Sequence, residues 1–159
     1  MRFTTILPTL IATTTAIGAC AAPAIAWVDP ATGNTHAAHV TRPADIPERN
    51  WLPGHRGVDL ALKPGADVRA AEDGVVAFVG VVVGVPTVSI DHPGGVRTTY
   101  QPVVSPLSKG SEVREGDVIG TLGRSREHDG LHWGALVAKD TYIDPLTLLA
   151  PPVIRLKPL

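Results

Sequence analysis

The sequence predicts an all-β domain, a sandwich or barrel of short strands. Runs of β-branched and apolar residues recur at spacings of about 8–12 residues, turn-forming pairs stand between them, and no stretch sustains a helical 3.6-residue period. The chain has 159 residues, with 16 glycines and 15 prolines. That is enough to punctuate many turns without reaching the level of a disordered chain.

Residues 1–26 read as an address. Arg2 gives a basic start, Ile6 to Ala19 is an apolar stretch diluted by threonines, and Ala24-Ile25-Ala26 offers small residues to a signal peptidase. The apolar run, broken by Pro8, falls short of the roughly 20 residues a membrane span needs, so no transmembrane span is expected in the mature chain. A competing reading takes Ile17-Gly18-Ala19-Cys20 as a lipobox, with Cys20 lipidated as a membrane anchor. Either way the protein is expected to be secreted or held in the cell envelope. Residues 27–53, rich in Pro, Ala and His, are expected to form a linker or extended arm, with Trp51-Leu52 packing it onto the domain edge.

The β domain is expected over 54–150. Its strands are Val58–Leu62, Val68–Ala70, Val75–Val83, Thr87–Asp91, Val96–Tyr100, Val118–Leu122 and Leu131–Val137. Pro64-Gly65, Asp73-Gly74, Pro93-Gly94-Gly95, Lys109-Gly110 and Glu115-Gly116 supply the turns between. Ala71–Val76 and Val113–Val118 share a valine–turn–valine texture that hints at two related half-barrels. Residues 151–159 form a Pro-containing tail expected to wrap the surface.

Formal net charge is −1, from 14 basic and 15 acidic residues. No basic stripe exists to attract a phosphate backbone, so nucleic acid is not an expected partner. A single cysteine excludes an intramolecular disulfide framework and a cysteine-rich zinc site.

Two places carry chemistry. His55-Arg56-Gly57-Val58-Asp59 sets an imidazole and a carboxylate four residues apart, and His132 interrupts the apolar run Leu131–Val137. Two histidines and one carboxylate meet the ligand count of a catalytic zinc with one open position. Spacing alone leaves the plainer alternative open, since a strand histidine is more often a hydrogen-bonded core residue. His36 and His39 are expected to face solvent, and His92 to make a strand-end hydrogen bond. Trp133 is read as a groove wall or core residue, although an aromatic there could stack on a sugar.

In order along the chain, His55-Arg-Gly-Val-Asp59-Leu60, Pro64-Gly65, Val68-x-Ala70, Gly74-x-Val76, Val88-x-Ile90-x-His92, Thr99-Tyr100, Val113-x-x-Gly116, Ile119-Gly120, Leu131-His132-Trp133 and Asp144-Pro145-Leu146 resemble the lysostaphin-type zinc endopeptidases. The resemblance covers residues 54–149. It implies a two-layer antiparallel β-sandwich or barrel core with a groove that holds one zinc ion through His55, Asp59 and His132. It also implies action on peptidoglycan peptides, or regulation of a partner cell-wall hydrolase.

The departures fall at the family's two remaining histidines, which activate water and stabilise the oxyanion. Tyr-x-His-Leu is here Tyr100-Gln101-Pro102-Val103, and His-x-His is Gly130-Leu131-His132. Losing one such group commonly costs about 10²–10⁴ in rate. His128 is either an exposed loop histidine or a substitute base, and Tyr100 or Gln101 is a candidate donor to the oxyanion. Pro102→His with Gly130→His is the repair the pattern suggests. Three functions follow: a cell-wall zinc endopeptidase, a degenerate relative that binds without cutting, and a lipoyl-type carrier module. The last needs a lysine at a hairpin tip, and Lys63, Lys109, Lys139 and Lys157 stand in no such motif.

Overall fold

A computed structural model describes residues 27–37, 39–126 and 128–151. The expected leader, with its Ala24–Ala26 cleavage point and the alternative anchor Cys20, lies outside the described residues, as does nearly all of the tail.

Eleven strands follow along the chain among the described residues: β1 (Val40–Arg42), β2 (Val58–Leu60), β3 (Asp67–Arg69), β4 (Gly74–Val82), β5 (Val85–Asp91), β6 (Arg97–Gln101), β7 (Val103–Val104), β8 (Glu112–Val113), β9 (Val118–Leu122), β10 (Leu131–Ala138) and β11 (Thr141–Ile143). A large sheet runs β1-β2-β10-β6-β5-β4-β8, with β11 also on β10, and a small sheet runs β3-β9-β7. Every pairing is antiparallel. The expected all-β, two-layer class is what the chain adopts. Among the described residues the helical content is two short 3-10 turns at Pro93–Gly95 and Pro145–Leu148.

Successive strand residues point to opposite faces. Val58, Leu60, Leu131, Trp133, Tyr100, Val88 and Ile90 of the large sheet are therefore buried together with Val68, Val103, Ile119 and Leu122 of the small one. Each fully buried side chain of this size contributes about 1.5–3 kcal/mol of transfer free energy. The alternate residues of the same strands share the opposite face. Asp59 pairs with His132, and His132 with Gln101, so one polar row crosses β2, β10 and β6. Gly134, Thr99 and Ser89 form the next row across β10, β6 and β5.

Several sequence expectations are corrected. The fourth strand stops at Val82, because Val83 and Gly84 form the hairpin turn with φ of 49° and 82°. The two valine–turn–valine segments are not half-barrels. They are turns docked on each other, with Glu115 N–H donating to Asp73 Oδ1 and Gly116 N–H to the Ala70 carbonyl. The arm is bonded along the domain at several points. Val28 N–H bonds the Ala71 carbonyl, Arg69 N–H the Pro30 carbonyl and Ala61 N–H the His39 carbonyl, while β1 extends the sheet beside β2. Trp51 does not fasten it, being 76% exposed. Trp27 and Val28 do, the first meeting the His92 ring edge-on at 4.8 Å and the second buried.

Candidate metal centre

His55 stands one turn before β2, and Asp59 is that strand's central residue. The chain between them must pass under β10. A Cβ on Gly57 would stand 2.4 Å from the Trp133 carbonyl oxygen and 2.8 Å from His132 Cε1, so only glycine lets His132 approach this closely. His132 follows Leu131 and precedes Trp133, both wholly buried, which turns its imidazole to the polar face.

Four donor atoms converge there. Asp59 Oδ1 is 3.1 Å from His55 Nε2, 3.0 Å from His132 Nδ1 and 2.9 Å from His128 Nδ1. His55 Nε2 and His132 Nδ1 are 3.0 Å apart, and all four atoms lie within 4.8 Å of one another. His55 Nδ1 donates to the Pro43 carbonyl at 2.8 Å. In a neutral ring this leaves Nε2 with a lone pair aimed at a carboxylate oxygen that also has only lone pairs to offer. A carboxylate oxygen accepts about two N–H donors, yet three ring nitrogens surround this one. The arrangement suits a cation in the middle. Tetrahedral zinc with bonds of about 2.0–2.1 Å spaces its donors roughly 3.3–3.4 Å apart, a little more than the 2.9–3.1 Å from Asp59 Oδ1 to the three imidazoles.

In the metal-free site the same groups set one another's charge. Burial opposes the charge on Asp59, but hydrogen bonds from His128 and His132 and the nearby imidazoles outweigh it, holding the carboxyl well below the usual carboxylate range. Burial pushes the His132 imidazole down, helped by His128 and His55 and opposed by Asp59, which favours the neutral form a metal needs.

The structure thus brings together His55, Asp59 and His132, the three residues singled out as ligands, and adds His128. The exposed-loop alternative for His128 does not hold, since its side chain is 12% exposed and its ring stacks on His132 with centroids 4.4 Å apart. Tyr100 is not brought to the site. Its neighbour Gln101 is the register partner of His132, so Tyr100 faces the core, wholly buried. Its hydroxyl accepts the Ala71 N–H at 3.1 Å and pairs with Thr98 Oγ1 at 2.9 Å, and burial pushes the phenol up to about 12. An oxyanion cannot reach it. Gln101 does lie on the polar face, with its Nε2 donating to Thr87 Oγ1 at 2.7 Å.

Beside His132 lies a pocket of about 260 Å³ whose walls include Arg56, Thr99, Gln101, Gly134 and Tyr142. Arg56 Nη2 donates to the carbonyls of Asn50 and Leu52, and its guanidinium lies 5.9 Å from the Tyr142 ring. Trp133 is wholly buried, which rules out sugar stacking. His92 makes the expected strand-end bonds, to the Asp73 carbonyl and Thr98 Oγ1. His39 is exposed, whereas His36 is half-buried beside Thr35.

Sequence reasoning missed Pro43. It acts through a backbone carbonyl, for which no residue type is a signal. The Asp45–His55 bridge that seats it, with N–H···O distances of 2.8 and 2.7 Å, is tertiary.

The model of the family described as peptidase family M23 matches residues 53–145. An uncharacterized protein of Mycobacterium tuberculosis is 47% identical over 129 residues, which are 76% of this chain and 51% of that protein. The DD-carboxypeptidase/endopeptidase Mpg of Neisseria meningitidis is 34% identical over 100 residues, 61% of this chain and 23% of its own length. The chain thus spans about half the length of the mycobacterial relatives it matches, and less of the neisserial one. The solved structure of Helicobacter pylori Csd3 superposes with a TM-score of 0.63 at 30% identity, covering 84% of this chain and 36% of that one.

Proposed function

Because the chain belongs to peptidase family M23, we propose that it is an exported zinc metallopeptidase domain acting on peptidoglycan peptides in the cell envelope. The observation that carries this reading is the meeting of His55, Asp59 and His132 donor atoms on the polar face of the large sheet, next to a pocket wide enough for a peptide side chain. The resemblance to a DD-carboxypeptidase/endopeptidase supports it.

Zinc bound at these donors supplies Lewis-acid activation of water and of a peptide carbonyl. The remaining roles belong to the chain. The Pro43 carbonyl, accepting from His55 Nδ1, fixes the ring so that Nε2 faces the site, as carbonyls commonly orient metal-bound histidines. Thr99 and Gln101 line the pocket beside His132 with polar groups that a peptide backbone can pair with, and Arg56 provides its cationic group. Turnover is slow, because no histidine stands at positions 102 and 130 to serve as general acid–base.

The test is digestion of purified peptidoglycan by the protein beginning at Trp27, with muropeptides read by mass spectrometry. New peptide termini are expected with zinc-loaded protein and none with His55→Ala. Wild type that leaves every wall substrate intact would refute the peptidase reading. The N-terminal peptide of protein recovered from cells tests export: Trp27 is expected, and diacylglycerol on Cys20 would replace secretion by lipid anchoring.

A second reading, a relative that binds wall peptide or a partner hydrolase without cutting, has an observation of its own. Pro102 is buried with its carbonyl accepting the Gly123 N–H at 2.7 Å, and Gly130 is pressed against the Leu60 backbone. Both positions are built into the fold rather than left ready for a histidine. Zinc-dependent retention on peptidoglycan without new termini would select this reading.

A further inference from the structure

The position of His128 has a consequence for the coordination of the site, resting on the zinc reading above. A general base must face the water at the open side of a metal, outside the ligand set. His128 Nδ1 instead points into the set, 2.9 Å from Asp59 Oδ1, a separation matching those of His55 and His132 from the same oxygen. Its ring lies over His132 at 4.4 Å and 30°, and over His55 at 5.9 Å and 28°.

The surrounding chain is fastened to put it there. Gly123 N–H donates to the Pro102 carbonyl at 2.7 Å, and His128 N–H donates to Ser125 Oγ at 3.2 Å. Thr41 Oγ1 of the arm donates to the Asp129 carbonyl at 2.8 Å. Gly130, at φ 111°, runs so close to Leu60 that a Cβ would stand 2.1 Å from its carbonyl oxygen. The imidazole is therefore delivered between two fixed ends.

We propose that His128 is the fourth zinc ligand, so that the resting site is closed by protein on all four sides and opens only when this imidazole withdraws. Four protein donors mark a closed zinc site, whereas a hydrolytic one keeps a position for water. The missing histidine at position 130 and the present one at 128 are then two aspects of a single rearrangement. The imidazole that would stand beside the metal as a base has been replaced by one that binds it.

Zinc-edge X-ray absorption on the zinc-loaded chain counts the imidazoles. Three are expected in wild type and two in His128→Ala. Competition against a chromophoric chelator should show zinc held about 10–100-fold more weakly by the variant, at least the cost of losing a group that only orients a ligand. His39→Ala should match wild type in both. Peptidoglycan cleavage should rise in His128→Ala. Two imidazoles in both proteins with equal affinity would overturn the proposal, as would cleavage that falls while coordination is unchanged, the signature of a base. Three imidazoles in wild type and two in the variant, with no cleavage by either, would uphold the ligand and remove only the hydrolytic reading. A folded wild type that takes up no zinc would remove both.

Discussion

Tyr100→Phe separates a structural phenol from a catalytic one. The substitution removes one oxygen from a side chain that is wholly buried, and nothing is expected to move to fill so small a gap. That oxygen accepts the Ala71 N–H, itself inaccessible to water, and partners Thr98 Oγ1. A buried donor stripped of its partner costs about 1–3 kcal/mol. Thr98 keeps His92 as a second partner at 2.7 Å, so the loss centres on the backbone N–H and should come to about 2 kcal/mol. This corresponds to a roughly 30-fold fall in the folded-to-unfolded ratio. Urea denaturation should show a lower midpoint at unchanged slope, since the surface exposed on unfolding is the same. Zinc affinity and any peptide cleavage should match wild type. An unchanged midpoint together with lost cleavage would refute the reasoning and return the phenol to the groove.

His132→Ala should lose most of its zinc at equal protein concentration while His39→Ala stays stoichiometric; equal metal in both would disprove the site. Gly130→His, the repair suggested by the family pattern, should be destabilised by about 3 kcal/mol or more, because the residue needs a positive φ and its Cβ meets the Leu60 carbonyl; a variant with the wild-type urea midpoint would contradict this. Burial depresses the His92 imidazole against the pull of Asp73 and Asp91, so its neutral form contributes stability in full above about pH 6.5, and that contribution is lost as the pH falls below it. Metal-free His92→Gln should therefore lose less stability than metal-free wild type between about pH 7 and 5, and parallel curves would count against the assignment.

The strands with their own signal were legible: β2, β3, β4, β5, β6, β9 and β10 fall on apolar or β-branched runs bounded by turn residues. Four were not. β1, β7, β8 and β11 have two or three residues each and exist because a partner edge is available, which a local pattern does not record. Of the site, His55, Asp59 and His132 were readable through the resemblance of their motifs to the lysostaphin-type family, since spacing alone left a hydrogen-bonded core histidine open. Parity carried the answer for Tyr100. With His132 on the polar face and Gln101 opposite it, the adjacent tyrosine had to turn inward, but the pairing register that links the two strands is not written in either. His128 depended on how a loop folds back across 69 residues of chain to meet Asp59, and Trp51 on a packing surface that the arm takes elsewhere.

The grip of Pro43 on His55 ties the arm to the metal by thermodynamic reciprocity. The family match begins at residue 53, whereas the carbonyl that orients the first ligand and the strand beside Asp59 come from residues 40–43. If a docked arm raises affinity for zinc, then zinc must tighten the docking of the arm by the same factor. Loading the site should therefore slow proteolytic nicking around residues 30–40, and an arm pulled away by a binding partner should release metal. A unit cut at the family boundary would keep His55, Asp59, His128 and His132 and lose this coupling, so the smallest faithful version of the centre begins near Trp27.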